Sequence, residues 1–296
     1  MNGSEDRVAA AYIEACLAEL DAPKPGNVHR FVPGHGMSFV DFVRSAEASA
    51  APIAARGARV GVRVRRAVEA TLSAVGQNTN LGIILLCAPL AAAIETAHGA
   101  LRPALADVLD SLDRADAADA FWAIAAANPG GLGRATRHDV NAPATGTLRE
   151  AMAEAATRDR IARQYVTGYE DIFSLGLPAL AVARRRPGDA RWSTLAVYLT
   201  FLAAAPDTHI VRKFDPVTAE SIRHEAAEWR DALAAAHDPE EMTESLLSWD
   251  KALKARGINP GTSADLTVAT LFASSLATIC GDNCAATILP SRHNDD

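Results

Sequence analysis

Four short polar segments interrupt an otherwise apolar, alanine-rich chain, and each carries side chains that can bind a charged ligand. Each gathers Asn, Asp, Thr, Lys or Arg beside Gly or Pro, whereas one such side chain is enough to cap a helix. We therefore predict that the four polar segments line a single site for a charged, hydroxyl-rich ligand. They are residues 23–27 (PKPGN), 76–82 (GQNTNLG), 206–209 (PDTH) with Arg212 and Lys213 behind them, and 259–265 (NPGTSAD).

The second polar segment stands at the expected start of an apolar helix and is suited to bind phosphate, ribose or a base edge. The first N–H groups of a helix have no partner within the helix and attract anions, and side-chain amides add hydrogen bonds. Asn78, Thr79 and Asn80 exceed what an N-cap alone requires. We therefore favour a binding role for this segment over capping.

The third polar segment combines a carboxylate, an imidazole and two cations. Asp207 can serve as a Mg²⁺ ligand beside Arg212 and Lys213, which can neutralise phosphate. An ordinary surface ion pair is the competing interpretation. Because the segment follows the apolar run 195–205, we expect it at the end of a buried helix, and both interpretations stay open at this point.

The first and fourth segments each offer one charged side chain in a rigid setting. Lys24 lies between two prolines, whose fixed φ angles stiffen the backbone, and it is suited to contact a phosphate or a carboxylate. A plain turn is the alternative. Asp265 lies in the first turn of a helix that residues 259–262 open, and taken alone it is best interpreted as a capping carboxylate.

Helical patterns must position these segments, because the sequence contains no convincing strand pattern flanked by turn residues. We predict an all-α protein: a single large multi-helix domain over residues 1–290, built as an alanine-rich helical bundle, with a disordered tail at residues 291–296. Three capping boxes, which begin at Ser38, Thr147 and Asp238, mark helix starts. The glycine-rich stretch 128–141 is expected to form a loop of functional length.

Composition excludes several classes of protein. The 296 residues are 49% hydrophobic, enough for a large core, and the net charge of −7 argues against nucleic acid as a partner. The longest apolar run, residues 81–94, is shorter than the roughly 20 residues that a bilayer requires, so we predict a cytoplasmic protein without a membrane partner. Cys280 and Cys284 lack further ligands at metal spacing, so buried thiols are expected. A homodimer could bury the alanine-rich faces.

In this order, the polar segments resemble the ATP:dephospho-CoA triphosphoribosyltransferase family, whose members are also called triphosphoribosyl-dephospho-CoA synthases. The resemblance extends from about residue 20 to residue 275. It implies an all-helical fold and an enzyme of cofactor biosynthesis with ATP as a substrate. In the family reaction a ribose hydroxyl of 3′-dephospho-CoA attacks C1 of the ATP ribose, adenine leaves, and the triphosphate stays on the transferred sugar. The residues that carry the resemblance are 23–28, Asn78, Thr79, Gly82, 176–178, Asp207, Thr208, Pro260, Gly261 and 264–266.

The resemblance and the demands of that reaction together suggest roles for the polar residues. The triphosphate requires Mg²⁺, for which Asp207 and Asp265 are the candidate ligands. Asp207 is also the first candidate for the carboxylate or base at the reacting sugar, and His209 is the second. The expected contacts to ribose and phosphate come from Lys24, Asn27, Asn78, Thr79, Asn80, Arg212, Lys213, Asn259 and Thr262.

The chain departs from the family pattern at three places, one of which is an acidic, His-containing loop that is shortened here to residues 34–37. Asn80 and Leu81 stand where the best-known enzymes have His-Lys, and His29 stands where a carboxylate is expected. The sequence looks closer to a divergent branch found in archaea and methylotrophic bacteria, which is associated with pterin- or furan-type one-carbon (C1) carriers. Two alternatives therefore stay open: a transferase or condensing enzyme that acts on a phosphorylated C1-carrier precursor, and a non-catalytic helical subunit of a cofactor-assembly complex.

Overall fold

The fold is entirely helical in the part of the chain that the structure describes. The computed structural model describes residues 3–131, 133 and 135–287, with residues 282–287 described by their backbone alone. It is 71% helical, with 14 α-helices and no strand among these residues. The prediction of an all-α fold is therefore confirmed. The predicted disordered tail, residues 291–296, and the side chain of Cys284 lie outside the described residues.

The helices are numbered in chain order. They are α1 Gly3–Asp21, α2 Phe39–Ala54, α3 Val60–Val75, α4 Leu81–Ala93, α5 Leu101–Ser111, α6 Arg114–Ala127, α7 Leu148–Ala155, α8 Arg160–Thr167, α9 Leu177–Ala183, α10 Ala190–Ala204, α11 Thr208–Lys213, α12 Pro216–Ala235, α13 Thr243–Ala255 and α14 Gly261–Thr287. A π-helical segment, Ile172–Gly176, runs directly into α9, and a 3₁₀ turn, Pro239–Met242, runs into α13. A long connection, residues 128–147, joins α6 to α7 and contains the glycine-rich stretch that the sequence predicts to be a loop.

Side-chain caps begin two of the helices where the sequence predicts them. Ser38 and Thr147 each form a capping box, at the starts of α2 and α7. The third predicted box differs, because the carboxylate of Asp238 accepts the N–H of Glu240 at 3.0 Å and caps the 3₁₀ turn instead. Helix α13 then begins one turn later than the cap predicts.

Buried apolar side chains form two clusters that share two helices. The larger cluster is built mainly from α1 to α9 and α14, and the smaller one mainly from α10 to α13. Helix α10 contributes Phe201 to the larger cluster and Tyr198 to the smaller one, and α14 contributes Leu266 and Ala264 in the same way. The cores are therefore continuous across α10 and α14. This continuity favours the single domain over residues 1–290, which stays a prediction.

Helix α14 runs through the core. Its stretch Gly261–Gly281 is the one helical stretch among the described residues that is long and apolar enough to cross a membrane, but 67% of it is buried inside the protein. It packs against α1, α4 and α10, and a core helix passes the same test of length and composition. Burial thus accounts for its apolar character. The cytoplasmic location, the lack of a membrane partner and the homodimer stay predictions.

Helix α4 is almost wholly buried and carries a proline in its interior. Pro89 has no N–H, so the carbonyl of Leu85 lacks its usual donor four residues on. The hydroxyl of Tyr165, on α8, donates to this carbonyl at 2.6 Å, and the hydroxyl of Tyr169 donates to the carbonyl of Leu86 at 3.0 Å. Two tyrosines thereby satisfy carbonyls of the core helix and join it to the α8 region.

Glycine lets α3 and α6 approach closely, because a Cβ on Gly61 would lie 2.6 Å from Cα of Asp116. We expect Gly61→Ala to force these helices apart and to lower the free energy of unfolding by about 2 kcal/mol, measured by urea denaturation. Gly281 is the control, since it is also helical and nothing lies within 4 Å of its added Cβ. Equal unfolding midpoints for Gly61→Ala and Gly281→Ala would contradict this close packing.

Candidate functional site

A cavity of about 740 Å³ opens where several helix ends meet. Its walls come from the ends of α1, α3 and α6, the starts of α4, α8 and α14, and parts of α7 and α11. All four polar segments reach it, so residues far apart in the chain meet here. The lining residues that the sequence singles out are Asn27, Asn78, Thr79, His209, Arg212, Lys213, Asn259, Thr262 and Asp265.

Three further residues that the sequence singles out lie behind the wall of the cavity. Lys24, Asn80 and Asp207 do not line it, and each is at most 4% exposed. Their polar atoms bind other parts of the protein. Any influence of these three residues on a ligand therefore passes through the residues that they hold.

Asp207 joins the starts of α11 and α14. One carboxylate oxygen accepts the N–H groups of His209 (2.9 Å) and Ile210 (3.3 Å), and the other accepts the N–H and the hydroxyl of Ser263, both at 2.8 Å. Burial raises the pKa of Asp207, and these hydrogen bonds oppose the rise. Each oxygen already accepts two hydrogen bonds. The direct contact with metal or substrate that the sequence suggests would require some of them to break.

Lys24 fixes an acidic side chain that none of the polar segments contains. Its ammonium donates to Glu19, to Oδ1 of Asn27 (2.9 Å) and to the carbonyl of Val28 (2.8 Å), so its three protons are all used. Burial lowers the pKa of Lys24, and the charge of Glu19 opposes this change. Glu19 itself lines the cavity, and burial raises the pKa of its carboxyl group.

Within the second polar segment, some side chains line the cavity and others hold the segment against neighbouring helices. Thr79 lines the cavity, and its hydroxyl donates to the hydroxyl of Ser45, on α2, at 2.6 Å. Asn80 lies on the other side of the wall, where its amide bonds to the hydroxyls of Thr71 (3.1 Å) and Ser49 (3.2 Å). Asn80 therefore connects α2, α3 and the start of α4, and holds the segment in place.

Asp265 lines the cavity from the first turn of α14, packed against Gly82. A Cβ at position 82 would overlap the carboxylate of Asp265, so glycine is required there. Burial raises the pKa of Asp265 well above its ordinary value, and the charges of Glu19, Asp207 and Asp159 raise it further. Among the described residues, none forms a hydrogen bond or ion pair with this carboxylate. Its position and its lack of a protein partner make it available to a ligand.

Helix α11 presents an imidazole and two cations to the cavity. His209, Arg212 and Lys213 are three and four residues apart, so they share one face of the helix. Burial, together with the charges of Lys213 and Arg212, lowers the pKa of His209 to about 3. The imidazole is therefore neutral at neutral pH, where it can form hydrogen bonds but is a weak base.

Arg212 ties the cavity to the long connection between α6 and α7. Its Nε donates to the carbonyl of Gly130 at 2.8 Å, and its guanidinium lies 3.4 Å from the carboxylate of Asp159. Asp159 lines the cavity and caps α8, where it accepts the N–H groups of Ile161 (2.9 Å) and Ala162 (3.0 Å). Asp159 is a second acidic lining residue outside the polar segments.

The cavity has a charged side and an apolar side. The apolar side is formed by α3, α6 and α7, and includes Leu72, Phe121, Ile124, Leu148 and Met152. In the described part of the chain, no three His, Cys, Asp or Glu side chains are grouped closely enough to hold a metal ion by themselves. The charged lining residues are the carboxylates Glu19, Asp139, Glu154, Asp159 and Asp265 and the cations Arg137, Arg158, Arg212 and Lys213.

His29 stands where the resemblance leads us to expect a carboxylate. Its imidazole contacts a carboxylate that comes from helix α13 instead. Nε2 of His29 lies 3.3 Å from the carboxylate of Asp250, on α13. Asp250 also accepts the N–H of Gly26 at 2.8 Å and lies 3.0 Å from Nζ of Lys254. Burial works to raise the pKa of Asp250, but His29 and Lys254 outweigh it and hold the pKa below its ordinary value.

The chain is similar to known proteins over most of its length. Residues 5–283 match the family of ATP:dephospho-CoA triphosphoribosyl transferases. A crystal structure from Archaeoglobus fulgidus, provisionally described as a triphosphoribosyl-dephospho-CoA synthase, is 24% identical in sequence, with a TM-score of 0.59 over 78% of this chain and 96% of that one. At this identity the likeness shows a shared fold. No curated protein matches the chain.

The low pKa of His209 predicts how this residue titrates. Its ordinary pKa is 6.5, so as the pH falls below that value the unfolded chain takes up a proton that the folded protein does not. His209 therefore lowers the free energy of unfolding as the pH falls. In His209→Gln, which cannot titrate, we expect the free energy of unfolding to fall less between neutral and acid pH. NMR of the imidazole should show a neutral ring at about pH 5, and an imidazolium signal there would contradict the assignment.

Proposed function

Because the chain belongs to the ATP:dephospho-CoA triphosphoribosyl transferase family, we propose that this cavity is where it binds ATP and 3′-dephospho-CoA. The protein is a transferase of cofactor biosynthesis, so the non-catalytic subunit considered from the sequence is set aside. One observation carries the assignment of the site: four separated polar segments bring cations, carboxylates and amides to a single cavity.

The triphosphate of ATP binds at α11. Arg212 and Lys213 share the helix face that borders the cavity, where they can contact phosphate oxygens. Five carboxylates and four cations line the cavity in the described part of the chain, so these side chains do not offset the charge of a polyanion. A triphosphate carries about four negative charges and is therefore expected to enter together with Mg²⁺.

Asp265 and Asp159 would hold this Mg²⁺. Asp265 has no hydrogen-bond or ion-pair partner among the described residues, and burial together with the neighbouring carboxylates raises its pKa. A metal cation would offset the charge of this carboxylate. Mg²⁺ usually keeps several waters and takes one or two carboxylates plus substrate phosphates, so a preformed set of three protein ligands is not required. The metal would neutralise the triphosphate. Asp207, predicted from the sequence as a ligand, instead orients α11 and α14.

Glu19 is our candidate base for the attacking ribose hydroxyl. It lines the cavity, Lys24 fixes its position, and burial raises its pKa in the direction that favours proton transfer near neutral pH. His209 is too weak a base for this step, because its pKa is lowered to about 3. Its neutral imidazole is suited to a hydrogen bond with a ribose or phosphate oxygen. Glu19 thus replaces Asp207 and His209 as the catalytic candidate.

The apolar side of the cavity suits a flat heteroaromatic ring. Leu72, Phe121 and Met152 supply uncharged walls, and the amides of Gln77 and Asn78 can pair with the polar edge of a ring. Adenine is such a ring and is present in both ATP and dephospho-CoA. We therefore place a nucleobase against α3, α6 and α7, with its ribose toward the charged side.

A phosphorylated precursor of a pterin- or furan-type C1 carrier is the second candidate substrate. A pterin ring suits the same apolar wall, and the departures at His29 and Asn80 favour a changed substrate. Leu81, which lines the cavity, stands where the best-known enzymes have the lysine of His-Lys, so the cavity lacks that cation. This alternative would place the enzyme in one-carbon metabolism.

The transfer releases adenine, which can be measured by chromatography. With ATP, Mg²⁺ and dephospho-CoA, we expect adenine to appear in equal amount to the ATP consumed, and EDTA to abolish the release because it removes the metal. ATP that stays intact with dephospho-CoA, but is consumed with a phosphorylated pterin, would select the second candidate. ATP that stays intact with both acceptors would reject the proposed reaction.

Two substitutions separate phosphate binding from the chemical step. Lys213→Ala removes a phosphate contact, so we expect the KM for ATP to rise about tenfold with a smaller change in kcat. Asp265→Asn keeps the shape of the side chain but removes its charge, so we expect kcat to fall about a hundredfold. Lys251→Ala is the control, because Lys251 is exposed on α13 and does not line the cavity. A wild-type kcat for Asp265→Asn would contradict its assignment as a metal ligand.

A further inference from the structure

We propose that Asp250, a buried carboxylate outside the cavity, is a positioning residue for the transfer reaction and acts through the loop of residues 23–27. Asp250 lies on α13, is 1% exposed and does not line the cavity. The loop that it contacts carries Lys24 and Asn27, and Asn27 does line the cavity. The kinetic part of this inference rests on the proposed function.

The two peptide groups that flank Gly26 are each held by a side chain. The N–H of Gly26 donates to Oδ1 of Asp250 at 2.8 Å, and its carbonyl oxygen lies 2.7 Å from Nε2 of His35. Gly26 has a φ of +81°, and an added Cβ would lie 2.9 Å from Pro260. The loop is therefore fixed in a conformation that glycine adopts readily and other residues do not.

Two contacts extend this fixed position to the cavity. Nδ2 of Asn27 donates to Oδ1 of Asn259 at 2.8 Å, and both residues line the cavity. Oδ1 of Asn27 accepts from Lys24 at 2.9 Å, and the same ammonium holds Glu19. The hydrogen bond from Gly26 to Asp250 thus lies next to the residue that links Asn259 with the candidate base.

A charged side chain is needed at position 250 to make all of these contacts. Besides the N–H of Gly26, Asp250 contacts Nζ of Lys254 at 3.0 Å and Nε2 of His29 at 3.3 Å. Lys254 is fixed independently, because it also donates to the carbonyl of Val32 at 2.9 Å. An amide keeps one acceptor oxygen, carries no charge and replaces the other oxygen by an NH₂ donor. Asn at position 250 therefore loses the acceptor that faces Lys254 and His29, or the one that accepts the N–H of Gly26.

Asp250→Asn and Asp250→Ala test the proposal, with full-length enzyme, ATP and dephospho-CoA. We expect kcat to fall about tenfold for Asn, which keeps one acceptor, and about a hundredfold for Ala, because misplaced catalytic groups slow the chemical step. The KM for ATP should change by less than about threefold, because Asp250 does not contact α11, where the triphosphate is proposed to bind. In a double-mutant cycle, Asp250→Asn and Asn27→Ala should be non-additive. Additive effects, or a wild-type kcat for Asp250→Asn, would overturn the proposal.

Asp116 provides the matched control for lost stability. It is 4% exposed and accepts the N–H of Gly61 at 2.8 Å, between α3 and α6 and away from the loop. We expect Asp116→Asn to lower the unfolding midpoint and to leave kcat unchanged when measured well below that midpoint. If kcat falls as far in Asp116→Asn as in Asp250→Asn, lost stability explains both results and the proposal fails.

Hydrogen exchange provides a second test that needs no turnover. Peptides covering residues 23–29 should exchange faster in Asp250→Asn than in the wild type, and at the wild-type rate in Asp116→Asn. A wild type that releases no adenine would reject the proposed reaction, while this comparison would still test the loop. Unchanged exchange over residues 23–29 in Asp250→Asn would overturn the positioning role whatever the activity.

Discussion

The carboxylate of Asp207 accepts four hydrogen bonds from two helix starts, and the charged side of the cavity depends on this junction. It fixes the cations of α11 relative to Thr262 and Asp265 on α14. A buried carboxylate is unfavourable unless its lone pairs are satisfied, and the first N–H groups of a helix need acceptors. The two requirements meet here. The cavity is consequently assembled from helix starts contributed by distant parts of the chain.

The three central carboxylates of the charged side have different surroundings. Glu19 is paired with Lys24, and Asp159 lies 3.4 Å from Arg212, whereas no described residue pairs with Asp265. The protein thus supplies two carboxylates with fixed cationic neighbours and one that no cation of the described residues contacts directly. Such a division suits a ligand that brings an anion and a metal cation together.

Helical periodicity and capping residues predict the all-α fold and place three of the four polar segments at helix ends. They do not reveal which way a side chain faces, because the donors that hold Asp207 and Asn80 come from distant segments. Glu19 lies inside α1, where no turn residue marks it. Its spacing from Tyr12 and Cys16 nevertheless places it on the buried face, so helical periodicity could have identified it as an unusual buried acid.

The proline inside α4 has a consequence for how related sequences vary. Because Pro89 deprives the carbonyl of Leu85 of its usual donor, the hydroxyl of Tyr165 supplies a bond that an ordinary helix would not need. A relative with a non-proline residue at position 89 gains that donor and can dispense with the hydroxyl. A relative that keeps the proline but carries Phe at position 165 buries an unsatisfied carbonyl. Among related sequences we therefore expect proline at position 89 and tyrosine at position 165 to occur together.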